Sequence, residues 1–395
     1  MRDHLRILAG KAADARGERT NVLITVEAGR ITEMTPIDFA VAPQAGDIDA
    51  RDCLLVPGFI DIHVHGGAGR AIMEATSDAR DAVAAHLARH GVTGFLPTTV
   101  TGPWDLQSGA VAVAAEALIS PENGAAGAAV LGVHLEGPYI NPKKKGAQPL
   151  QYIEPPDARG LQRHLGDTLN ALKIVTLAPE MDGARELIKF LTAGNIISSI
   201  GHTDAVYDQV CQAADLGARH VTHCFNAMRP MEGREPGVVG AAFARSELAA
   251  ELIWDNIHVH PASCRALLRA KGADRVILIS DGIPGAGMAD GYSFSLGDLP
   301  VTIQNGAARL PDGTLAGSLL TLDVAFANAG EFGLPAQCAM TSRNAALALG
   351  LGHCKGLITP GFDADLVILK PDGSVLATLV AGRIVYSESL GFQVT

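Results

Sequence analysis

Histidine and carboxylate residues stand where short apolar segments of this chain end. The first such segment ends PGFIDIHVHGG, in which Asp61, His63 and His65 alternate with apolar residues. Because successive side chains of a strand point to opposite faces, the two histidines share one face and can bind a single metal ion. Buried, hydrogen-bonded histidines are the alternative for this pair. The apolar strand before it and the Gly-Gly turn after it favour metal ligands.

Further candidate ligands end the later segments. GVHLEGPYINP places His134 and Glu136 on one face, and Glu136 needs a partner because burying an unpaired charge is costly. IISSIGHTDA ends with His202, after which Asp204 is expected to cap a helix, and RHVTHCFNAM ends with His223. A structural salt bridge or core histidines would explain each residue taken alone. Together, one glutamate and two histidines leave an open position on zinc or a similar ion, which is typical of a catalytic site.

Other polar residues could act on a substrate beside such an ion. VILISDG ends with Asp281, which we interpret as a general base, with a helix cap as the alternative. GREPG contains Arg234, whose planar fork suits phosphate or carboxylate, although a surface ion pair would also explain it. WDNIHVHP offers His258 and His260, and LAGS (315–318) is a turn of small residues where backbone amides could approach a ligand.

Eight apolar segments must bring these residues together. Several are nearly continuous apolar runs, as expected of strands buried on both faces, and helical patterns separate them. The pattern predicts a (β/α)8 barrel, in which active sites lie at the carboxyl ends of the strands. A doubly wound open sheet is the main alternative, but no glycine-rich phosphate fingerprint follows an early strand. The predicted strands span residues 59–65, 92–99, 129–135, 172–178, 195–200, 219–224, 250–255 and 275–280.

The two ends of the chain differ from its middle. Residues 1–55 and 356–395 contain short strands separated by turns, a pattern typical of hairpins. We expect them to form one small β-sandwich domain beside a catalytic α/β barrel of residues 56–355. Residues 291–314 form another hairpin-like stretch, inside the last loop of the barrel.

Composition narrows the class of protein. The 395 residues carry a formal net charge of −11, which argues against nucleic acid or an anionic membrane as a partner. The six cysteines are scattered and read as reduced thiols. There is no apolar signal core and no apolar run of about 20 residues, so we expect a cytoplasmic protein without a membrane partner. The loop 137–156 is long enough to suggest a function, and its run Lys143–Lys145 is expected to be a solvated patch.

Several motifs together resemble a known family. They are PGFIDIHVHG, LGVHLEGPYINPKKKGA, GHTDA, THCFNAMRPMEGREPG, IHV, SDG, TLAGSLLTLD and GFDADLVIL, and they run from residue 57 to 369. The chain resembles the amidohydrolase superfamily and, within it, the N-acetylglucosamine-6-phosphate deacetylases. The H-x-H motif is common to the superfamily, whereas HLEGP with THCFNAM and GREPG is much more specific. The resemblance implies a hydrolase that converts N-acetyl-D-glucosamine 6-phosphate to glucosamine 6-phosphate and acetate, in amino-sugar catabolism.

The resemblance also implies roles by position. The ligands of a main divalent ion would be Glu136, His202 and His223, and those of a second ion His63 and His65. We expect zinc, with iron, cobalt or manganese as alternatives, and one or two ions per subunit. Asp281 would be the catalytic acid and base. The residues that would contact the sugar phosphate are Ala147, Gln148, Asn226, Ala227, Arg234, His258, Leu315, Ala316 and Gly317. This family completes the phosphate site across a homodimer interface, so a homodimer is expected.

Two departures from the family pattern bear on the substrate. Gln148 stands where the family usually has histidine, and a glutamine can donate a hydrogen bond but cannot carry a proton. Asn256 stands where glycine is usual. They motivate an alternative substrate, such as N-acetylgalactosamine 6-phosphate or another N-acyl amine. A non-catalytic barrel scaffold is the alternative from another class, although such relatives usually lose the metal ligands or the aspartate, which are present here.

Overall fold

The structure, a computed structural model, describes residues 4–38, 42–296 and 299–388 of the chain. None of the helices in these ranges is long and apolar enough to cross a bilayer. The main strands are β1 (His4–Asp14), β2 (Gly17–Glu27), β3 (Arg30–Pro36), β4 (Ile48–Pro57), β5 (Phe59–Val64), β6 (Val92–Thr99), β7 (Val133–Glu136), β8 (Leu172–Leu177), β9 (Ile197–Ile200), β10 (His220–Val221), β11 (Ala249–Leu252), β12 (Val276–Leu278), β13 (Ser293–Leu296), β14 (Leu299–Gln304), β15 (Ala307–Arg309), β16 (Leu366–Leu369), β17 (Val375–Val380) and β18 (Arg383–Ser387). The helices are α1 (Ser77–Arg89), α2 (Trp104–Ile119), α3 (Ala158–Leu165), α4 (Ala184–Ala193), α5 (Tyr207–Leu216), α6 (Gly237–Ala244), α7 (Pro261–Lys271), α8 (Leu322–Asn328), α9 (Leu334–Cys338) and α10 (Asn344–Ala348).

Strands β5 to β12 form a parallel barrel in which each strand pairs with the next along the chain. The backbone closes the ring after β12, where the N–H of His65 donates to the carbonyl of Gly282 at 2.7 Å and the N–H of Asp281 donates to the carbonyl of His63 at 3.0 Å. One helix, α1 to α7 in order, follows each of the first seven barrel strands. The predicted (β/α)8 barrel is confirmed, with every predicted strand overlapping an observed one.

The wall between strands and helices is made mainly of small aliphatic side chains. Helix α2 buries Ala110, Val111, Ala114 and Ala117, which recur every three or four residues and so lie on one face of the helix. All six residues of β5 and all eight residues of β6 are buried, because barrel strands are covered by the barrel interior on one face and by helices on the other. An aliphatic, alanine-rich core is therefore enough to close this barrel despite the low aromatic content.

Both ends of the chain contribute to a second sheet of seven strands, in the order β18-β17-β16-β4-β1-β2-β3. All neighbours are antiparallel except β1 and β4. The sheet curls on itself, since the N–H of Ile31 donates to the carbonyl of Phe362 at 2.9 Å and the N–H of Ala364 donates to that of Gly29 at 2.8 Å. The expected small β domain from both termini is confirmed. The division at residues 55/56 and 355/356 stays a prediction, since β4 continues to Pro57.

A buried carboxylate at the end of β1 holds the segment of the chain that leads to β16. Asp14 has no exposed surface and accepts hydrogen bonds from the guanidinium of Arg16 at 2.9 Å and the N–H of Ile358 at 3.2 Å. Burial alone would raise the pKa of Asp14, but its bonds to Arg16 and the charge of Arg19 lower it below the usual value. The carboxylate therefore stabilises the fold as an anion.

We expect Asp14→Asn to lower the free energy of unfolding by about 2 kcal/mol, because hydrogen bonds to charged groups are worth roughly 1.5–3 kcal/mol. A group whose pKa is lowered in the folded state contributes stability above its unfolded pKa and loses it as pH falls through the folded value. The gap in urea midpoint between wild type and variant should thus be full at neutral pH and shrink in acid. Asp49→Asn, at an exposed aspartate paired with Arg51, is the control and should change little.

A three-stranded antiparallel sheet, β13 to β15, lies between β12 and α8. It agrees with the hairpin-like stretch predicted at residues 291–314. Its buried side chains Leu296, Val301 and Ala308 pack with Val100 and Ile283. This insertion therefore forms an apolar wall beside the carboxyl ends of the barrel strands.

Candidate metal centre and active site

The carboxyl ends of five barrel strands bring the predicted chemistry together. His65, His202, His223 and Asp281 follow β5, β9, β10 and β12, and Glu136 is the last residue of β7. His202, His223 and Asp281 have positive φ angles of 47°, 28° and 49°. Each such non-glycine residue costs on the order of 1–3 kcal/mol, and conformations of this kind cluster at functional sites. The backbone strain and the side-chain types therefore indicate the same location.

Three atoms at this end of the barrel form a first ligand group. The Nε2 atoms of His202 and His223 each lie 3.1 Å from Oε1 of Glu136 and 3.1 Å from each other. Tetrahedral zinc with bonds of about 2.0–2.1 Å separates neighbouring donors by about 3.3 Å, so the spacing fits one ion. The carbonyl of Lys144 accepts the Nδ1–H of His202 at 2.9 Å. That bond leaves the Nε2 lone pair of His202 free to bind an ion.

A second ligand group lies beside the first. The Nε2 atoms of His63 and His65 are 3.2 Å apart, and they lie 3.4 Å and 3.2 Å from Oδ1 of Asp281. Glu136 contacts this group as well, with Oε1 at 3.3 Å from Nε2 of His63 and Oε2 at 3.4 Å from Nε2 of His65. The Nδ1 of His65 lies 3.2 Å from the carbonyl of Thr98, which orients the ring. Glu136 thus stands between two groups that could each hold an ion.

Opposite charges stabilise one another in both groups. Burial alone would raise the pKa of Glu136, but the charges of His202 and His63 lower it well below its usual value. The same competition lowers the pKa of Asp281 to about 2, because His63 and His65 outweigh its burial. Burial alone would lower the pKa of His63, and the charges of Glu136 and Asp281 raise it well above its usual value. Both carboxyls are therefore anions at neutral pH, and the donors suit a divalent cation.

A cavity of about 250 Å³ opens above the two groups. The predicted metal ligands and the catalytic residue that line it are His65, Glu136, His202, His223 and Asp281. The predicted substrate residues that line it are Ala147, Gln148, Asn226, Ala227, His258, Leu315 and Gly317. His63 lies below the cavity, and Ala316 is buried in the apolar cluster beside it. Arg234 is exposed and does not line the cavity.

The amide of Gln148 has a fixed orientation. Its Oε1 accepts the N–H of Thr101 at 2.7 Å, so its Nε2 donates to Oε2 of Glu136, at 2.5 Å. The departure from histidine therefore places a neutral hydrogen-bond donor directly on the carboxylate shared by the two ligand groups.

His258 lines the cavity, and its Nε2 is buried and has no hydrogen-bond partner among the described residues. Its Nδ1 lies 2.6 Å from Oδ2 of Asp255, and Oδ1 of Asp255 accepts the N–H groups of Ile257 and His258, each at 2.8 Å. Burial alone would lower the pKa of His258, but Asp255 raises it. Asn256, inside this turn, has a φ of 64°, which asparagine tolerates better than most residues and which explains why glycine is usual here.

Several residues in and around the site were not predicted. Glu251 lies within an apolar strand segment and Asp255 lies near its end. The feature of the sequence that could have identified them is a carboxylate among apolar residues. The predicted helix cap at Asp204 is wrong, since α5 begins at Tyr207, and Asp204 instead pairs with Arg229 at 3.1 Å. The run Lys143–Lys145 is more than a solvated patch, because a backbone carbonyl within it orients a candidate metal ligand.

Comparison with known proteins agrees with this geometry. The model of the Amidohydrolase family matches residues 54–385. The chain is 41% identical over 359 residues to N-acetylglucosamine-6-phosphate deacetylase of Bacillus subtilis, covering 89% of this chain and 90% of that protein. It is 37% identical over 349 residues to N-acetylgalactosamine-6-phosphate deacetylase of Escherichia coli O157:H7, covering 87% and 91%.

Solved structures give the same picture. The structure of a mutant N-acetyl-D-glucosamine-6-phosphate deacetylase of Mycobacterium smegmatis, in complex with N-acetyl-D-glucosamine 6-phosphate, matches with a TM-score of 0.89 at 31% identity. The match covers 98% of this chain and all of that one. The N-acetylglucosamine-6-phosphate deacetylase of Thermotoga maritima matches with a TM-score of 0.86 at 32% identity, covering 97% of this chain and all of that one.

Proposed function

This chain belongs to the amidohydrolase family, and on that premise we propose that it hydrolyses the N-acetyl group of N-acetyl-D-glucosamine 6-phosphate, giving glucosamine 6-phosphate and acetate. The observation that carries the proposal is the convergence of two ligand groups on Glu136, beside a cavity that is also lined by His258, whose Nε2 has no hydrogen-bond partner among the described residues. The two ligand groups suit amide hydrolysis, and the free ring nitrogen of His258 suits binding of an anionic substrate group. The complete set of candidate ligands and Asp281 speaks against a non-catalytic scaffold.

The donors support a divalent ion as cofactor. Glu136, His202 and His223 would hold a main ion, and His63 and His65 a second, with zinc favoured by the histidine and carboxylate donors and iron, cobalt or manganese able to use the same set. When bound, such an ion acts as a Lewis acid and lowers the pKa of a water molecule from 15.7 toward about 7.

Asp281 is the proposed acid and base. Its carboxylate is ionised and borders the cavity, so it can take a proton from the attacking water and then deliver that proton to the departing amine. Gln148 holds Glu136 in place through its fixed Nε2–H. The apolar side chains of Ile253 and Ile283 line the same cavity and exclude water from part of it.

The remaining polar groups suit the sugar phosphate. Asn226, Ala227, His258 and the turn Leu315–Gly317 would contact it. Arg234 is exposed and does not line this cavity, and we propose that it reaches the site of a second subunit in a homodimer. The exposed apolar side chains of Met231 and Ile257, 52% and 44% accessible, would be covered by that contact. Light scattering should give the mass of a dimer, and a monomer would contradict this assembly.

A cytoplasmic location is part of the proposal. All six cysteines are free thiols, three of them buried, as expected for a protein of a reducing compartment.

N-acetylgalactosamine 6-phosphate is the second candidate substrate, supported by Gln148 at the cavity and by the Escherichia coli relative that acts on that sugar by name. The deciding experiment measures acetate release from both sugar phosphates and from unphosphorylated N-acetylglucosamine, using protein of known metal content. We expect the highest kcat/KM with N-acetylglucosamine 6-phosphate. A higher value with the galactosamine compound would favour the alternative, and no release from any of them would contradict deacetylation.

Asp255→Asn should raise KM for the phosphorylated substrate by about 10- to 100-fold, because His258 loses a hydrogen bond to a charged partner worth roughly 1.5–3 kcal/mol. Because Asp255 raises the pKa of His258, the ring keeps its positive charge to a higher pH in the wild type, so binding should be lost at a lower pH in the variant than in the wild type. KM measured against pH checks both effects. An equal rise of KM for the unphosphorylated sugar would instead indicate a general structural role.

A further inference from the structure

Glu251, on strand β11, is a buried carboxylate to which no role has yet been assigned. It has no exposed surface. Its Oε2 lies 3.0 Å from Nδ1 of His63 and accepts the N–H of His223 at 3.2 Å, whereas its Oε1 has no hydrogen-bond partner among the described residues. Burying a carboxylate costs several kcal/mol unless an opposite charge compensates it, so its partners have to explain its presence.

The neighbours of Glu251 offer little compensation. A ring nitrogen of His134 lies within 4.8 Å of a carboxylate oxygen of Glu251, but its hydrogen bonds go to other groups. Both ring nitrogens of His134 are already engaged, Nδ1 at 3.1 Å from the carbonyl of Ile62 and Nε2 at 2.8 Å from Oγ1 of Thr176. His134 is therefore not a metal ligand, and in the described residues His63 is the only side chain that pairs with the carboxylate of Glu251.

The shortage of positive charge extends to the whole site. In the described residues, no lysine or arginine forms an ion pair with Glu136, Glu251 or Asp281. One divalent ion would leave one of these three carboxylates uncompensated. A second divalent ion next to His63 would remove that deficit.

We propose that Glu251 is the positioning residue that holds His63 for the second ion and sets how tightly that ion binds. The inference rests on the two-ion site proposed above. A carboxylate only accepts hydrogen bonds, so Nδ1 of His63 must carry the proton and its Nε2 must carry the lone pair. That Nε2 points at the second group, 3.2 Å from Nε2 of His65. Such carboxylate–histidine contacts fix ring orientation and raise ligand basicity.

The carboxylate of Glu251 contacts the first and the second ligand group in different ways. It accepts the ring N–H of His63 but only the backbone N–H of His223, which follows strand β10 and is held by the pairing of that strand with β9 and β11. Loss of the charge of Glu251 should therefore affect the second ion much more than the first. This asymmetry separates a positioning role from a general role in folding.

The test is Glu251→Gln, which keeps the size of the side chain and removes its charge. After equilibration with a weak chelator, metal content is measured by mass spectrometry, and Co²⁺ titrations give the affinity of each site from the visible spectrum. We expect two ions in wild type, and in the variant one tight ion and a second bound 10- to 100-fold more weakly. Asp14→Asn, which removes a buried carboxylate of the terminal sheet that contacts neither ligand group, should keep two tight ions at reduced stability.

Glu251→Asp is the second variant, because it keeps the charge and withdraws it from His63 by one carbon. It should weaken the second ion less than Glu251→Gln does. Unchanged affinity for both ions in Glu251→Gln, equal loss of both ions, or a single ion in wild type would overturn the inference. Acetate release is measured separately, so wild-type protein with two ions and no deacetylation would contradict the proposed function and leave the role of Glu251 standing.

Discussion

Asp281→Asn is expected to lower kcat for acetate release by about 10²- to 10⁴-fold, the usual contribution of a general acid and base. The asparagine amide has the same shape but cannot accept the proton of the attacking water. The ion that we propose for Glu136, His202 and His223 should remain, because none of their mutual contacts involves Asp281. Steady-state kinetics and metal analysis of the same preparation check both parts.

The matched control for this variant is Asp323→Asn. Asp323 is also a largely buried aspartate next to a histidine, with Oδ2 at 3.0 Å from Nδ1 of His90, but it does not line the cavity. Its substitution should cost stability and leave kcat near the wild-type value. Near-normal turnover in Asp281→Asn, with the metal retained, would end the assignment of Asp281.

Glu136→Gln is expected to lose metal as well as activity. Glu136 lies within 3.4 Å of four histidine Nε2 atoms, so its charge supports both ligand groups. Removing one partner of a buried ion pair costs about 3–5 kcal/mol, which corresponds to a drop of about 10²- to 10⁴-fold in metal affinity. Metal content after dialysis should fall below one ion per chain, and acetate release should fall with it.

Glu180→Gln tests whether any glutamate near this end of the barrel would have the same effect. The carboxylate of Glu180 accepts hydrogen bonds from Asn141 at 2.7 Å, Thr203 at 2.5 Å and the N–H of Asp204 at 2.7 Å, and contacts no candidate ligand. This variant should keep its metal. If Glu136→Gln also kept two tightly bound ions, Glu136 could not be the shared ligand.

The strands and the positions of the candidate ligands could be predicted because both depend on local pattern. A polar residue after an apolar strand must lie at the carboxyl end of the barrel, and closure of the barrel then brings His63, Glu136, His202 and His223 together whatever the loops do. The ligand groups follow from topology, so no knowledge of side-chain conformation was needed.

The residues that support the site were harder to predict for a physical reason. Glu251 lies inside a buried strand. The role of a carboxylate in such an apolar segment cannot be predicted until the side chain that pairs with it is known. The contact of Asp255 with His258 depends on a turn in which Asn256 has a positive φ. The position of Arg234 depends on the conformation of its loop and on the proposed homodimer. The prediction of a helix cap at Asp204 is wrong although Asp is a favoured cap, because its carboxylate pairs with Arg229 instead.

The pairing of β4 with β16 has a consequence for synthesis of the chain. Leu55 and Val56 pair with Ile368 and Val367, so one edge of β4 stays open until residues 366–369 have left the ribosome. By then all eight barrel strands have been made, and the barrel can form first. A nascent chain thus carries an unpaired strand edge for most of its translation, and such an edge can aggregate.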